Sequence, residues 1–153
     1  MRTVSIDELG SIFTQVLIDV IAKVSGFHLD VLSTERDPCL DGTFALMRLN
    51  GNKGGMLIIS AEDEGIRTLC SFMEGNPKDE ITKEDEEDVL GELVNMTAGN
   101  AKMLLNDTEY MYSHSTPLII NGSNITITTK KRVNVISRVL GNEEISLKMK
   151  IIY

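Results

Sequence analysis

Asp88-Val-Leu-Gly-Glu-Leu-Val-Asn95 decides how the rest of the chain is read. An earlier octet, Asp7-Glu-Leu-Gly-Ser-Ile-Phe-Thr14, matches it at three positions, 81 residues upstream. Both octets open stretches whose apolar residues recur at helical spacing, and both are followed by strand-like runs. Pro38 lies 24 positions after Thr14 and Pro117 lies 22 after Asn95, so the downstream layout repeats as well. The expectation is one domain, residues 1–153, made by duplication from halves of about 1–80 and 81–153.

Working outward from the two octets, Ser5 and Glu8 have capping-box spacing. Ile6, Leu9, Phe13, Val16, Leu17, Val20 and Val24 then keep helical period until Gly26. Strands are expected at 28–36, 42–50 and 54–60, the last two joined as a hairpin through the turn-rich Asn50-Gly51-Asn52-Lys53-Gly54-Gly55. Residues 61–75 return to helical spacing, and Asn76-Pro77 makes a turn. Thr82 is an N-cap candidate, and the acids from Glu84 to Asp88 suit the positive end of a helix over 83–105. Four further strands follow at 109–119, 123–129, 132–140 and 143–152, with turns at Asn121-Gly122 and Gly141-Asn142. The fold class is α+β: a mainly antiparallel sheet packed against two long helices, in two pseudo-symmetric halves.

Bulk properties narrow the functions. The 153 residues are 42% hydrophobic and 25% charged, enough for a core and too apolar for a disordered chain. Fifteen Lys and Arg against 23 Asp and Glu leave a formal charge of −8, which repels phosphate backbones and anionic lipid alike. Nucleic acid is therefore excluded as the expected partner, and Lys130-Lys131-Arg132 reads as a solvated hairpin turn. Two cysteines, Cys39 and Cys70, are too few for a disulfide framework or a four-thiolate metal site, and a reducing cytoplasm is the expected setting. No signal core or membrane-inserting segment is expected, since Asp19 and Lys23 interrupt the most apolar stretch. The four Asn-x-Ser/Thr sites have no chemical consequence in such a compartment.

On a helical projection at about 100° per residue, with Asp88 at zero, Glu92 falls near 40°, Asn95 near −20° and Gly99 near 20°. These four form a narrow stripe without apolar bulk. Val89, Leu90, Leu93, Val94, Met96, Ala101, Met103, Leu104 and Leu105 fill the remaining arc and are expected to be buried. An Asp-Glu-Asn stripe is most often only a solvated face. Gly91 and Gly99, however, each cost about 1 kcal/mol relative to Ala inside a helix. Close approach is needed here, by a partner or by the sheet.

Asp88, Glu92 and Asn95, with Pro117 just over twenty residues later, resemble the signature of the CheX/CheC chemotaxis phosphatases. Glu92-Leu-Val-Asn-Met-Thr-Ala-Gly-Asn-Ala101 and Thr116-Pro-Leu-Ile-Ile-Asn-Gly122 resemble the family's helix and succeeding strand. The repeated halves extend the likeness over the whole chain, with a CheC-like fold. The first octet carries Ser11 and Thr14 where the second has Glu92 and Asn95, so a single catalytic copy is expected, which is more similar to CheX than to CheC.

The resemblance implies hydrolysis of the aspartyl phosphate of a phosphorylated CheY-like receiver, with the helix laid across the receiver's active site. Asn95 and Glu92 would be the catalytic pair. Asn95 has the chemistry to orient water, because a side-chain amide can accept from the attacking water and donate elsewhere. Glu92, about 5 to 6 Å away on the same face, would dock by pairing with the receiver's active-site Lys. Asp88 and Gly99 are secondary partner-binding positions, Asp88 reading equally well as a helix-dipole residue. No cofactor or metal of the chain's own is expected; a divalent cation, Mg2+, would come with the receiver. Asp88 and Glu92 are commoner as surface charges than as ligands, and His28 and His114 are isolated. The family also implies a homodimer joined through sheets, with the apolar Leu147–Tyr153 strand as an expected pairing edge. The competing reading is a non-catalytic adaptor that binds a receiver or a flagellar-switch component.

Overall fold

Ser5 starts the first helix as its spacing demands: its hydroxyl accepts the Glu8 amide at 3.1 Å, and Gly26, at φ 79°, ends it by donating to the Ala22 carbonyl. This is α1, Ile6–Ser25, in a computed structural model whose described residues are 1–36, 39–128 and 133–153. There follow β1 (Asp30–Ser33), β2 (Cys39–Gly51), β3 (Gly55–Ala61), α2 (Asp63–Glu74), a single 3-10 turn (Lys78–Glu80) and α3 (Lys83–Leu104). The chain closes with β4 (Tyr112–His114), β5 (Leu118–Thr126), β6 (Val135–Gly141) and β7 (Ser146–Ile152). A reciprocal capping box starts α3: the Thr82 hydroxyl accepts the Asp85 amide, and the Asp85 carboxylate accepts the Thr82 amide at 2.8 Å.

The strands form one antiparallel sheet in the order β1-β6-β7-β3-β2-β4, with β5 also paired to β2. The α+β class, with helices packed on an antiparallel sheet, holds. With β4 set aside, exchanging β1, β2 and β3 for β5, β6 and β7 turns the order β1-β6-β7-β3-β2-β5 into its own reverse, so the five remaining pairings are preserved, while the β2–β4 pairing has no counterpart. A duplicated α-β-β-β unit would generate that order, and we retain duplication as a proposal on that ground.

The two-residue period of the strands splits the core. Ala45, Met47, Leu49, Leu57 and Ile59 face the helices and join Leu9, Phe13, Leu17, Leu90, Leu93 and Val94. Phe44, Leu46, Ile58 and Ile152 face the other way and pack with Ile120, Ile125 and Val133. Both sheet faces are therefore apolar at the centre of the sheet, where Phe44–Met47 of β2 and Met56–Ile59 of β3 are unbroken hydrophobic stretches.

Four expectations need correction. Asn121-Gly122 is not a turn: β5 runs through it, pairing Asn121 with Thr43 and Gly122 with Gly42. Gly42, at φ 84°, sits at an irregularity in β2, a backbone state that glycine reaches without strain. The break lies instead at residues 115–117, where Pro117 has no amide to give to the ladder. Nor is Leu147–Tyr153 an edge: β7 is held between β6 and β3, its Leu147, Met149 and Ile151 facing the helix-side core in alternation with Lys148 and Lys150. Met103 and Leu104 are exposed at 76% and 53%: Met103 projects at about 60°, beside Glu92 on the open stripe, and Leu104 is the last residue of α3. The expected strand at 28–36 shortens to Asp30–Ser33. Lys130-Lys131-Arg132 and Pro38 lie outside the described residues.

Cys70 of α2 is buried against α3, with its sulfur 3.7 Å from the Asp85 carbonyl. Burial, reinforced by Glu74, Glu86 and Asp85, pushes the thiol from its ordinary 9.0 up to about 12. The unfolded chain releases this proton first, so stability falls as pH rises between those two values. Peptide-resolved alkylation at pH 8 should spare Cys70 until the chain unfolds. A Cys70→Ala variant should lose less stability than the parent on moving from pH 9 to 11.

Candidate functional site

On α3 the residues facing the sheet are buried: Val89, Leu90, Leu93, Val94, Ala98 and Ala101 are all 3% exposed or less. Asp88, Glu92 and Asn95 are on the opposite side, exposed, and Gly99 is half-buried. Among the described residues, no hydrogen bond or ion pair occupies Glu92 or Asn95, so both side chains are free for a partner. This differs from the start of the same helix, where Glu86 is buried between Arg67 Nε at 3.0 Å and Lys83 Nζ at 3.4 Å.

Gly91, Glu92 and Asn95 form one wall of an open groove of about 460 Å³, and His114, Ser115, Thr116 and Pro117 form the other. The second wall is the interruption between β4 and β5, both of which pair with β2. Pro117 thus enters the site by breaking the sheet edge beside α3. The interruption is pinned rather than loose. Arg48 donates its amide to the Ser115 hydroxyl, Ser115 donates its amide to the Arg48 carbonyl, both at 3.1 Å, and the Tyr112 hydroxyl donates to the Ala98 carbonyl of α3 at 2.6 Å. Burial holds the Tyr112 phenol protonated well above its usual range, so it remains a donor. Tyr112→Phe should cost about 1 kcal/mol of stability, visible as an earlier denaturation midpoint.

The glycines of α3 now separate the two reasons for close approach. A methyl group at Gly91 would meet only Ile119 Cδ1, at 3.8 Å, and one at Gly99 would meet nothing within 4 Å. Intrachain packing requires neither. Gly10, the counterpart of Gly91 in α1, differs: a Cβ there would lie 2.8 Å from Arg138 Nη2 and 3.2 Å from Ile136 Cγ2. The first copy is closed in other respects. Thr14, aligned with Asn95, is buried and donates its hydroxyl to the Gly10 carbonyl at 2.7 Å, while Ser11, aligned with Glu92, is exposed. The amide-and-carboxylate pair therefore lines an open groove on α3, whereas the aligned positions of α1 carry an exposed Ser11 and a buried Thr14.

His114, Ser115 and Thr116 escaped the sequence reading, which ran one strand through 109–119. Pro117 was the available signal that the strand must break. Among the described residues no group of three or more His, Cys, Asp or Glu is placed to hold a metal ion, and no helix is long and apolar enough to cross a membrane.

Known structures share this architecture. A CheC-like superfamily protein from Shewanella sp. PV-4 superposes with a TM-score of 0.83 at 25% identity, over 97% of this chain and 98% of that one. The chemotaxis protein CheX from Vibrio vulnificus gives 0.80 at 20% identity, over 94% and 95%. CheX in a CheX-CheY-BeF3-Mg2+ complex from Borrelia burgdorferi gives 0.77 at 17%, over 93% and 96%. No curated protein matched in the corresponding sequence search. The family model described as chemotaxis phosphatase CheX matches residues 43–139, a span that contains α3, the β4–β5 interruption and every residue of the groove. With more than half its length matched, this chain belongs to the CheX family of chemotaxis proteins.

Proposed function

We propose that the chain is a phosphatase that accelerates hydrolysis of the aspartyl phosphate on a CheY-like response regulator. The observation that carries this reading is the groove: a carboxylate and an amide, one turn apart on a capped helix, exposed and without partners among the described residues, beside a pinned break in the sheet edge. Phosphoryl transfer asks little covalent chemistry of a catalyst; it asks for positioning and charge stabilisation. Asn95 holds the attacking water through its amide oxygen, in line with the leaving carboxylate. Glu92 docks against the receiver's active-site Lys and fixes the approach on which Asn95 depends. Asp88 extends the contact along the stripe, and Gly99 lets the receiver's backbone come close to α3.

The acyl phosphate and its divalent cation, Mg2+, come with the receiver, so the chain needs no nucleophile or metal of its own. That a relative forms a complex with CheY, BeF3 and Mg2+ supports this division of labour. A cytoplasmic homodimer is the family-level expectation for its state. With β7 inside the sheet, pairing between copies would have to use β1 or the β4–β5 edge. Light scattering checks the mass.

A phosphate-release screen against the organism's receiver domains tests the proposal. At least one receiver should lose phosphate faster when the protein is added. Tight receiver binding with an unchanged rate of loss would replace the phosphatase by an adaptor.

A further inference from the structure

His114 is unused by the mechanism above, yet it lines the groove opposite Glu92 and Asn95. It closes β4, pairs with Leu49 and packs its ring edge-on against Tyr112 at 6.4 Å between centroids. Tyr112 is itself tied to the Ala98 carbonyl, so the imidazole is carried on a support bonded to α3. Its Nδ1 is buried and, among the described residues, has no hydrogen-bond partner. An N–H at that nitrogen would face no acceptor, and a buried unpaired donor is unfavourable. An N–H on Nε2 avoids that cost and is the donor the ring can offer to whatever enters the groove.

Charge gives that donor a purpose. Among the described residues Glu92 is the one carboxylate in the groove lining, Asp88 lies on the same stripe, and the chain carries a formal charge of −8. Carboxylates facing the phosphoryl oxygens of a receiver would repel them. Pairing Glu92 with the receiver's Lys also draws a cation away from those oxygens. Compensating donors must come from elsewhere, and the 114–117 wall can supply them.

The geometry points to His114 as a substrate-contacting residue that donates a ring hydrogen bond to the phosphoryl group, so that the groove distinguishes a phosphorylated receiver from an unphosphorylated one. This rests on the phosphatase reading and assigns a further residue to the same site.

The test measures affinity for the receiver whose phosphate loss the protein accelerates, with and without beryllofluoride as phosphoryl mimic. His114→Phe keeps a ring against Tyr112 and removes the donor; His114→Gln restores a donor. His114→Phe should bind the beryllofluoride form about tenfold more weakly, with the unmodified form little changed, and His114→Gln should recover part of the loss. If His114→Phe fails to fold, His114→Ala should show the same lost preference. A folded Phe or Ala variant that keeps full preference for the beryllofluoride form overturns the role of His114 and leaves the phosphatase reading standing. Absence of accelerated phosphate loss by the unsubstituted protein on every receiver overturns both.

Discussion

Asn95→Ala is expected to lower receiver dephosphorylation by about 100-fold, equivalent to about 2.7 kcal/mol of barrier, while receiver affinity stays within about threefold. The size follows from what the side chain does. A residue that only holds water in line removes, when lost, the positioning of one reactant, and misplacement on the scale of an ångström is worth that much. Unfolding cannot produce the same result. Asn95 is exposed and free of intrachain partners among the described residues, and Ala is the better helix former by a few tenths of a kcal/mol. The variant should therefore melt at or slightly above the parent temperature. Stopped-flow or radiolabel decay reads the rate, and calorimetry reads the affinity. Full activity in Asn95→Ala would remove the water-orienting role.

Glu92→Lys should act on binding, weakening the complex with the receiver at least about 30-fold, because a charge-assisted contact becomes two like charges at one position. Stability should move the other way. Lys and Glu are similar helix formers, and Lys at position 92 lies four residues after Asp88, a spacing at which opposite charges attract on a helix surface. Glu143→Lys changes net charge equally, in the exposed β6–β7 turn, and should leave affinity nearly unchanged. Equal weakening in both variants would mean that long-range repulsion, not docking at Glu92, sets the affinity.

The parts of the fold readable in advance are those fixed by local chemistry. Ser5 with Glu8, Gly26 and Thr82 each mark a helix end through a hydrogen bond made within a few residues, and α1 and α3 lie where those signals put them. What failed depends on distant partners. Asn121-Gly122 has the composition of a hairpin turn, but pairing with Gly42 and Thr43 across β2 holds it extended. The alternation of Leu147, Met149 and Ile151 with Lys148 and Lys150 in β7 is compatible with an edge or a centre, and only its two neighbours decide between them. A helical wheel puts Leu104 within about 20° of Leu93, yet Leu104, the last residue of α3, is exposed while Leu93 is buried; Met103, at about 60°, lies beside Glu92 and is exposed as that direction implies.

The site divides along the same line. Glu92, Asn95, Asp88 and Gly99 share a stripe by helix geometry alone, so they could be named together before any tertiary contact was known. His114 could not. It lies nineteen residues beyond Asn95 in sequence and reaches the groove only because β4 pairs with the end of β2 beside α3. Alignment of Ser11 and Thr14 with Glu92 and Asn95 pointed to one site. The geometry gives a physical reason, the Thr14 hydroxyl being bonded to its own helix and Gly10 crowded by Arg138.

The central claim is that this groove speeds phosphate loss rather than only binding a receiver. Its most direct test is the single-turnover decay of phosphate on the receiver identified by the screen, followed with rising amounts of the protein up to saturation of binding. The account predicts a decay rate that climbs with occupancy to a plateau at least about tenfold above the receiver's own, a change needing only about 1.4 kcal/mol, and that falls back in Asn95→Ala at equal occupancy. A receiver saturated with the protein yet decaying at its own unassisted rate would contradict it.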